Sequence, residues 1–349
     1  MSNLIKNLRI QNFKSIKDLS LDCERINVFI GRPNAGKSNI LEAVSLLGVN
    51  YEEINNKKFL ESTIRYRLLN HFFNNFNVKE PIKVNADFET VVTFEEAPST
   101  LPEEHKYDFI FKKSFLSKKL TEPVREKTNP STFVIKLYSD GKIMGGNNLD
   151  GPPLSSIKRY EFNGLLETQL NGLYLKPPHG ENFYSIVETH PPIREEIKQF
   201  LAPNGLELLL DINSRRMTVV QRTEDTLISF PLTLVPDTFQ RYIFHLAAIM
   251  SNRDSVLLFE EPESHSYGPY IYELAQHMLN DEGGNQFFLT THNPYFLLPL
   301  LQEGKDVAVF TTWFENYETH AKRLTQEEIR EILDYGIDLF LNLDHFIPA

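Results

Sequence analysis

Gly31-Arg32-Pro33-Asn34-Ala35-Gly36-Lys37-Ser38 has the spacing G-x-x-x-x-G-K-S of a loop that cradles phosphate groups. The end glycines let successive backbone N–H groups face a triphosphate, and a helix starting behind the loop adds the positive end of its dipole. Lys37 would reach the β- and γ-phosphates as a mobile cation, while the Ser38 hydroxyl would ligate Mg2+. Pro33, Asn34 and Ala35 complete the cradle, and Asn39 carries it into the helical pattern that runs to Leu47.

A second set of residues is acidic. The apolar run Val256-Leu257-Leu258-Phe259 stops abruptly at Glu260, Glu261 and Glu263, three carboxylates within four residues. In an open α/β sheet, the carboxyl ends of strands are where ligands bind. Glu260 there would hold the metal, directly or through water, and Glu261 would be the general base that polarises an attacking water. A third apolar run, Phe287 to Thr290, leads into Thr291 and His292. An imidazole at that tip can donate to a γ-phosphate and sense its loss. His292 comes 31 residues after Glu261, which leaves room for one crossover helix and a return to the same sheet edge.

These groups need a scaffold, and the pattern supplies one. Leu4 to Phe13 and Leu19 to Ile30 alternate like paired strands, with a turn region over Lys14 to Asp18. Further strands are expected in Pro81–Phe94, Asp108–Phe111, Leu206–Leu210, Met217–Arg222 and Leu227–Leu232, and a hairpin over Val307–Lys322. Helices are expected near Thr238–Ser251 and Pro269–Asn280. The composition divides the chain into 1–60, an N-terminal core part with the phosphate loop; 61–204, a proline- and aromatic-rich mixed α/β insertion or lid; and 205–349, a C-terminal core part. No heptad pattern is sustained in the insertion, so no long coiled coil is expected.

With 47 acidic against 36 basic residues the formal charge is −11, which argues against a surface that is wholly a nucleic-acid footprint. One local exception is Lys112 to Lys119, a basic run interleaved with apolar residues that can bind a phosphate backbone. A single cysteine, Cys23, excludes an internal disulfide and a cysteine-based zinc site. No leader pattern and no apolar stretch near ~20 residues is present, so the expectation is a cytoplasmic protein with no membrane partner.

Together with Asn7 to Ile16, these motifs make the chain resemble the ABC-type ATPases of the RecF, SMC and OLD group. Within it, the nearest likeness is to the AAA15/OLD-like ATPases of bacterial anti-phage systems, as in PARIS- or Septu-like pairs. The resemblance implies an α/β P-loop NTPase head with a mixed sheet and an antiparallel β subdomain. It implies ATP and Mg2+ as cofactors, hydrolysis to ADP and phosphate, and a homodimer or higher oligomer whose heads enclose the nucleotide. It also implies a separate effector protein, such as a nuclease, for which this chain is sensor and regulator. The signature segment that seals the opposite copy's nucleotide falls on 236–241, where Asp237 would cap the helix, Thr238 would offer a hydroxyl and Arg241 a charge. Glu263 and His265 fall in the loop that approaches the opposing site.

Two departures from the family pattern stand out. Pro236 and Thr238 replace a Leu-Ser-x-Gly-like signature, and no glutamine occurs between Gln11 and Gln169 to touch the metal and the attacking water. An asparagine within Asn70 to Asn77 is the candidate substitute. Alternatives are therefore a nucleotide-gated scaffold with little hydrolysis, or a RecF-like DNA-repair ATPase. GTP in place of ATP stays open.

Overall fold

The computed structural model describes residues 4–49, 56–87, 90–97, 107–115, 131–147, 156–166, 168, 170–335 and 339–347. Asn7–Phe13 (β1) and Ile16–Asp22 (β2) form an antiparallel hairpin that turns on Lys14 and Ser15, with Lys14 in the left-handed region at φ 48°. Ile16 to Asp18 are thus strand rather than turn. The block Leu19–Ile30 is broken at Cys23–Arg25, and Ile26–Gly31 (β3) follows as a fully buried strand. The helix Lys37–Leu47 (α1) begins at the end of the phosphate loop.

Ile82–Ala86 (β4), Thr90–Glu96 (β5), Phe109–Phe115 (β6), Ser131–Leu137 (β7) and Ile143–Asn147 (β8) come next, every neighbouring pair antiparallel. β4 pairs with β1, so these strands extend the first hairpin into one seven-stranded sheet, β2-β1-β4-β5-β6-β7-β8. Phe59, Phe72, Phe94 and Phe111 are fully buried against this sheet, with Phe59 and Phe94 stacked at 6.1 Å. The aromatic richness of the middle of the chain is therefore core, as alternation with polar residues suggests for strands covered on one face.

The remaining elements are Ile157–Tyr160 (β9), Phe183–Thr189 (α2), Pro191–Leu201 (α3), Leu206–Asp211 (β10), Arg216–Arg222 (β11), Leu227–Pro231 (β12), Asp237–Ser251 (α4), Val256–Glu260 (β13), Gly268–Leu279 (α5), Gln286–Thr290 (β14), Pro294–Glu303 (α6), Val307–Glu315 (β15), Glu318–Arg323 (β16) and Gln326–Tyr335 (α7). By contacts the chain forms two compact units: residues 1–2 with 158–307, and residues 3–157 with 308–349. These divisions differ in place from the composition boundaries at 60/61 and 204/205. The cause is that β4 to β8 pair onto β1 instead of forming a sheet apart.

In the unit of residues 3–157 and 308–349, β3 lies beside β15, which hairpins with β16. In the unit of residues 158–307, β13 and β14 run parallel, with Glu260 opposite Thr290, and β9 flanks β13. The four apolar residues of β13 are buried on both faces, as parallel strands require, and burial ends at Glu260. β10, β11 and β12 make a separate antiparallel sheet. Phe200 of α3, Phe239 and Tyr242 of α4 and Tyr270 of α5 pack as an aromatic cluster, Phe200 stacking on Tyr242 at 4.3 Å. Among the described residues, no helix is long and apolar enough to cross a membrane.

Candidate functional site

The phosphate loop is shaped by what leans on it. Gly36 sits at φ 92°, and a Cβ there would meet Thr319 Oγ1 at 2.0 Å, so only glycine fits. A Cβ on Gly31 would strike the Thr312 carbonyl oxygen at 2.2 Å. Asn34 takes the left-handed conformation at φ 64°, which asparagine tolerates. Thr319 Oγ1 donates to the Ala35 carbonyl at 3.2 Å and lies 2.6 Å from Ser15 Oγ. Ser15 Oγ in turn accepts from Asn39 Nδ2 at 2.6 Å. Since the one Thr319 hydroxyl proton goes to Ala35, Ser15 must donate to Thr319, and the chain Asn39 to Ser15 to Thr319 to Ala35 has a single direction. Ser15 and Thr319 thus set the loop, and neither stands out in the sequence.

Lys37 is buried, and its Nζ donates to the Gly31 and Arg32 carbonyls at 3.0 Å each. Its ammonium is therefore held by the loop's own oxygens where phosphate oxygens would compete. No acidic side chain occupies the first turn of α1, which keeps that helix end electropositive.

In the other unit, the tips of β13 and β14 form one cluster. Glu261 takes φ 43°, and its N–H donates to both the carbonyl and the hydroxyl of Thr290, at 3.1 and 3.2 Å. That turn brings Glu261 Oε1 to 3.4 Å from His292 Nε2, while Ser264 Oγ donates to Glu261 Oε2 at 3.2 Å. Glu263 is buried beneath them. It accepts from Thr291 Oγ1 and from the His292 N–H, the latter at 3.1 Å, while its Oε2 is buried without a partner. Burial pushes the Glu263 carboxyl up to about 7, with the Glu261 charge acting the same way and the two hydrogen bonds opposing. Glu260 pairs with Arg159 of β9, Nη2 to Oε2 at 2.6 Å. Arg159 had no signal in the sequence, because β9 is short and carries no motif.

The signature-like residues are arranged differently from the expectation. Asp237 is the first residue of α4 rather than its cap; Pro236 holds the cap position without a side-chain bond. The Asp237 carboxylate instead accepts from Arg241 Nε at 2.6 Å, and the Arg241 guanidinium lies 4.7 Å from the Phe162 ring centroid. Thr238 Oγ1 is buried without a partner. His265 is exposed, at φ 58°. In the candidate substitute segment, Asn74 Nδ2 donates to the Lys14 carbonyl at 2.8 Å.

Where it is described, the basic run expected to bind a phosphate backbone is strand, and both its lysines are engaged within the chain. Lys112 and Lys113 lie in β6; Lys112 pairs with Glu95, and Lys113 is buried with its Nζ on the Leu47 and Val49 carbonyls. Burial lowers the Lys113 amine to about 8. Residues 116–130, including Lys118 and Lys119, lie outside the described residues.

Comparison with known proteins decides the family. The profile described as "AAA domain, putative AbiEii toxin, Type IV TA system" matches residues 92–298, more than half of the chain. The chain belongs to this AAA-domain family. A second profile, the AAA ATPase domain, matches residues 4–143 of the AAA-domain protein and includes its phosphate loop. The AAA-domain protein is also 23% identical, over 89% of its length and 92% of the relative's, to an ATP/GTP phosphatase of Helicobacter pylori (strain ATCC 700392 / 26695). Among solved structures it is similar in fold to an SMC head bound to the C-winged helix domain of ScpA, with TM-score 0.52, 14% identity and coverage of 94% of this chain and 99% of that one. The AAA-domain protein accordingly has a mixed α/β fold similar to that of an SMC head, and it is an ATPase.

Proposed function

We propose that this AAA-domain ATPase hydrolyses magnesium-bound ATP with Lys37 on the phosphates, Ser38 and Glu260 on the metal, Glu261 as the general base and His292 reading the γ-phosphate. The observation that carries the reading is the Glu261–His292 pair at 3.4 Å, set by the turn at Glu261 and by Glu263 gripping the His292 backbone. A base and a γ-phosphate reader on one framework is what phosphoryl transfer to water needs, since catalysis there is positioning plus charge neutralisation.

The donor set fits the metal. Among the described residues no group of three or more His, Cys, Asp or Glu could hold an ion by itself. Mg2+ characteristically uses one or two protein oxygens together with substrate phosphates and waters, which one hydroxyl and one carboxylate would provide. When bound, the ion neutralises charge on the β- and γ-phosphate oxygens.

Two copies would enclose the nucleotide, with Thr238 and Arg241 of one completing the site of the other. The reading rests on the place of both residues in the first turns of α4, in the segment that resembles the signature. The output would be the control of a separate effector protein, such as a nuclease, in a bacterial anti-phage defence complex. Support for a role of that kind comes from the family description, which places relatives in a toxin system.

Steady-state phosphate release tests the reading. Glu261→Gln is expected to lower turnover by about a hundredfold or more while ATP still binds. In ATP that variant should run as a dimer by light scattering. Unchanged turnover in Glu261→Gln would remove Glu261 as the base.

A further inference from the structure

We propose that Arg159 is a positioning residue that gates metal uptake: its guanidinium neutralises Glu260 in the nucleotide-free chain and sets how strongly magnesium-bound nucleotide is preferred over metal-free nucleotide. The inference rests on the reading of Glu260 as the metal's carboxylate.

The geometry of β9 makes the case. Arg159 Nη2 lies 2.6 Å from Glu260 Oε2, and the Arg159 side chain is 6% exposed against 33% for Glu260. The cation is thus fixed from the protein side, while the carboxylate stays open to solvent. Its neighbours on β9 prevent an easy retreat. Lys158 Nζ donates to Asn252 Oδ1 at 2.7 Å and Ser255 Oγ at 2.9 Å, and lies 3.8 Å from the Tyr174 ring centroid. Tyr160, fully buried, donates to the Leu175 carbonyl at 2.5 Å and accepts from Asn252 Nδ2 at 2.9 Å. With both neighbours anchored, the backbone at Arg159 has little freedom to withdraw the guanidinium.

Charge then decides the consequence. Glu260 and Glu261 are adjacent carboxylates, and two such charges side by side repel each other when neither is neutralised. Arg159 relieves that repulsion while no metal is present. A divalent cation arriving at the same carboxylate meets a fixed positive charge and must share or displace it, so the pair opposes metal loading. Two cations competing for one group are coupled reciprocally, commonly by about 5- to 150-fold. The arrangement would keep the acid tip ordered between turnovers and confine metal binding there to metal that arrives with phosphates.

The test is the ratio of ATP dissociation constants measured by calorimetry in EDTA and in excess Mg2+. Arg159→Met removes the charge at similar length, and the ratio should grow at least about fivefold over that of the unaltered chain. Arg159→Lys keeps a cation and should leave the ratio near the unaltered value. Circular dichroism and thermal melting establish that each variant folds, and Arg159→Gln takes the place of Arg159→Met if the latter does not. An unchanged ratio in the folded, charge-free variant overturns the proposal. Glu260→Gln separates the two claims: if it retains the unaltered ratio, Glu260 is not the metal ligand, and the proposed function fails independently of Arg159.

Discussion

Glu263 shows how one buried carboxylate can tie two motifs together. It lies in the acid turn but bonds to Thr291 and to the His292 backbone, so the turn after β13 and the tip of β14 share one support. The same burial raises its folded-state pKa to about 7 from an ordinary 4.5. Between those values the folded chain keeps a proton that the unfolded chain has released, so stability falls as pH rises through that window and stays lower above it. Glu263→Gln removes this dependence. Its melting temperature relative to the unaltered chain should therefore be higher at pH 8 than at pH 4.5, a difference worth at most about 2–3 kcal/mol. Equal differences at the two pH values would show that the carboxyl is not held protonated. Residues of this scale were only partly legible beforehand. The G-x-x-x-x-G-K-S spacing and the acid and histidine tips of β13 and β14 announce themselves because loop and strand-tip patterns are local in sequence. Arg159 and Thr319 do not, since their partners Glu260 and Ser15 lie 101 and 304 positions away. Asp237 was misplaced as a cap because an i,i+4 arginine competes for the same carboxylate.

At the scale of elements, the phosphate loop is a joint product of β3, α1, the β1–β2 turn and the β15–β16 hairpin. Gly36→Ala tests that packing. The substitution adds a methyl 2.0 Å from Thr319 Oγ1 at a left-handed φ, and strain of this kind costs about 1–3 kcal/mol before any repacking. A drop in melting temperature of at least about 2 °C is expected, with weakened ATP binding. A variant that melts and binds like the unaltered chain would show that the hairpin does not shape the loop. The strands from 206 onward and the helices α4 and α5 were readable to within a residue or two, because apolar period and turn residues agree there, whereas α6 and α7 carried no such bounds. The strands of 82–147 were recognisable as β but not as continuations of the first hairpin. Pairing of β4 with β1 is a long-range choice that alternation cannot specify.

Across the whole molecule, the chain is an AAA-domain ATPase that forms two compact units. Lys37 and Ser38 belong to one, and Glu260, Glu261 and His292 to the other. Composition hid this division: the proline-rich middle of the chain marks a change of texture, whereas the units follow sheet pairing. The central claim is that Lys37, now held by the Gly31 and Arg32 carbonyls, exchanges them for the phosphates of a magnesium-bound nucleotide. Calorimetric titration of Mg2+-ATP into the unaltered chain and into Lys37→Ala tests it most directly. The account predicts saturable binding to the former and at least about a tenfold loss of affinity in the latter, one buried charge-assisted contact being worth roughly 1.5–3 kcal/mol. Equal affinity in the two chains, or no binding to either, would contradict it.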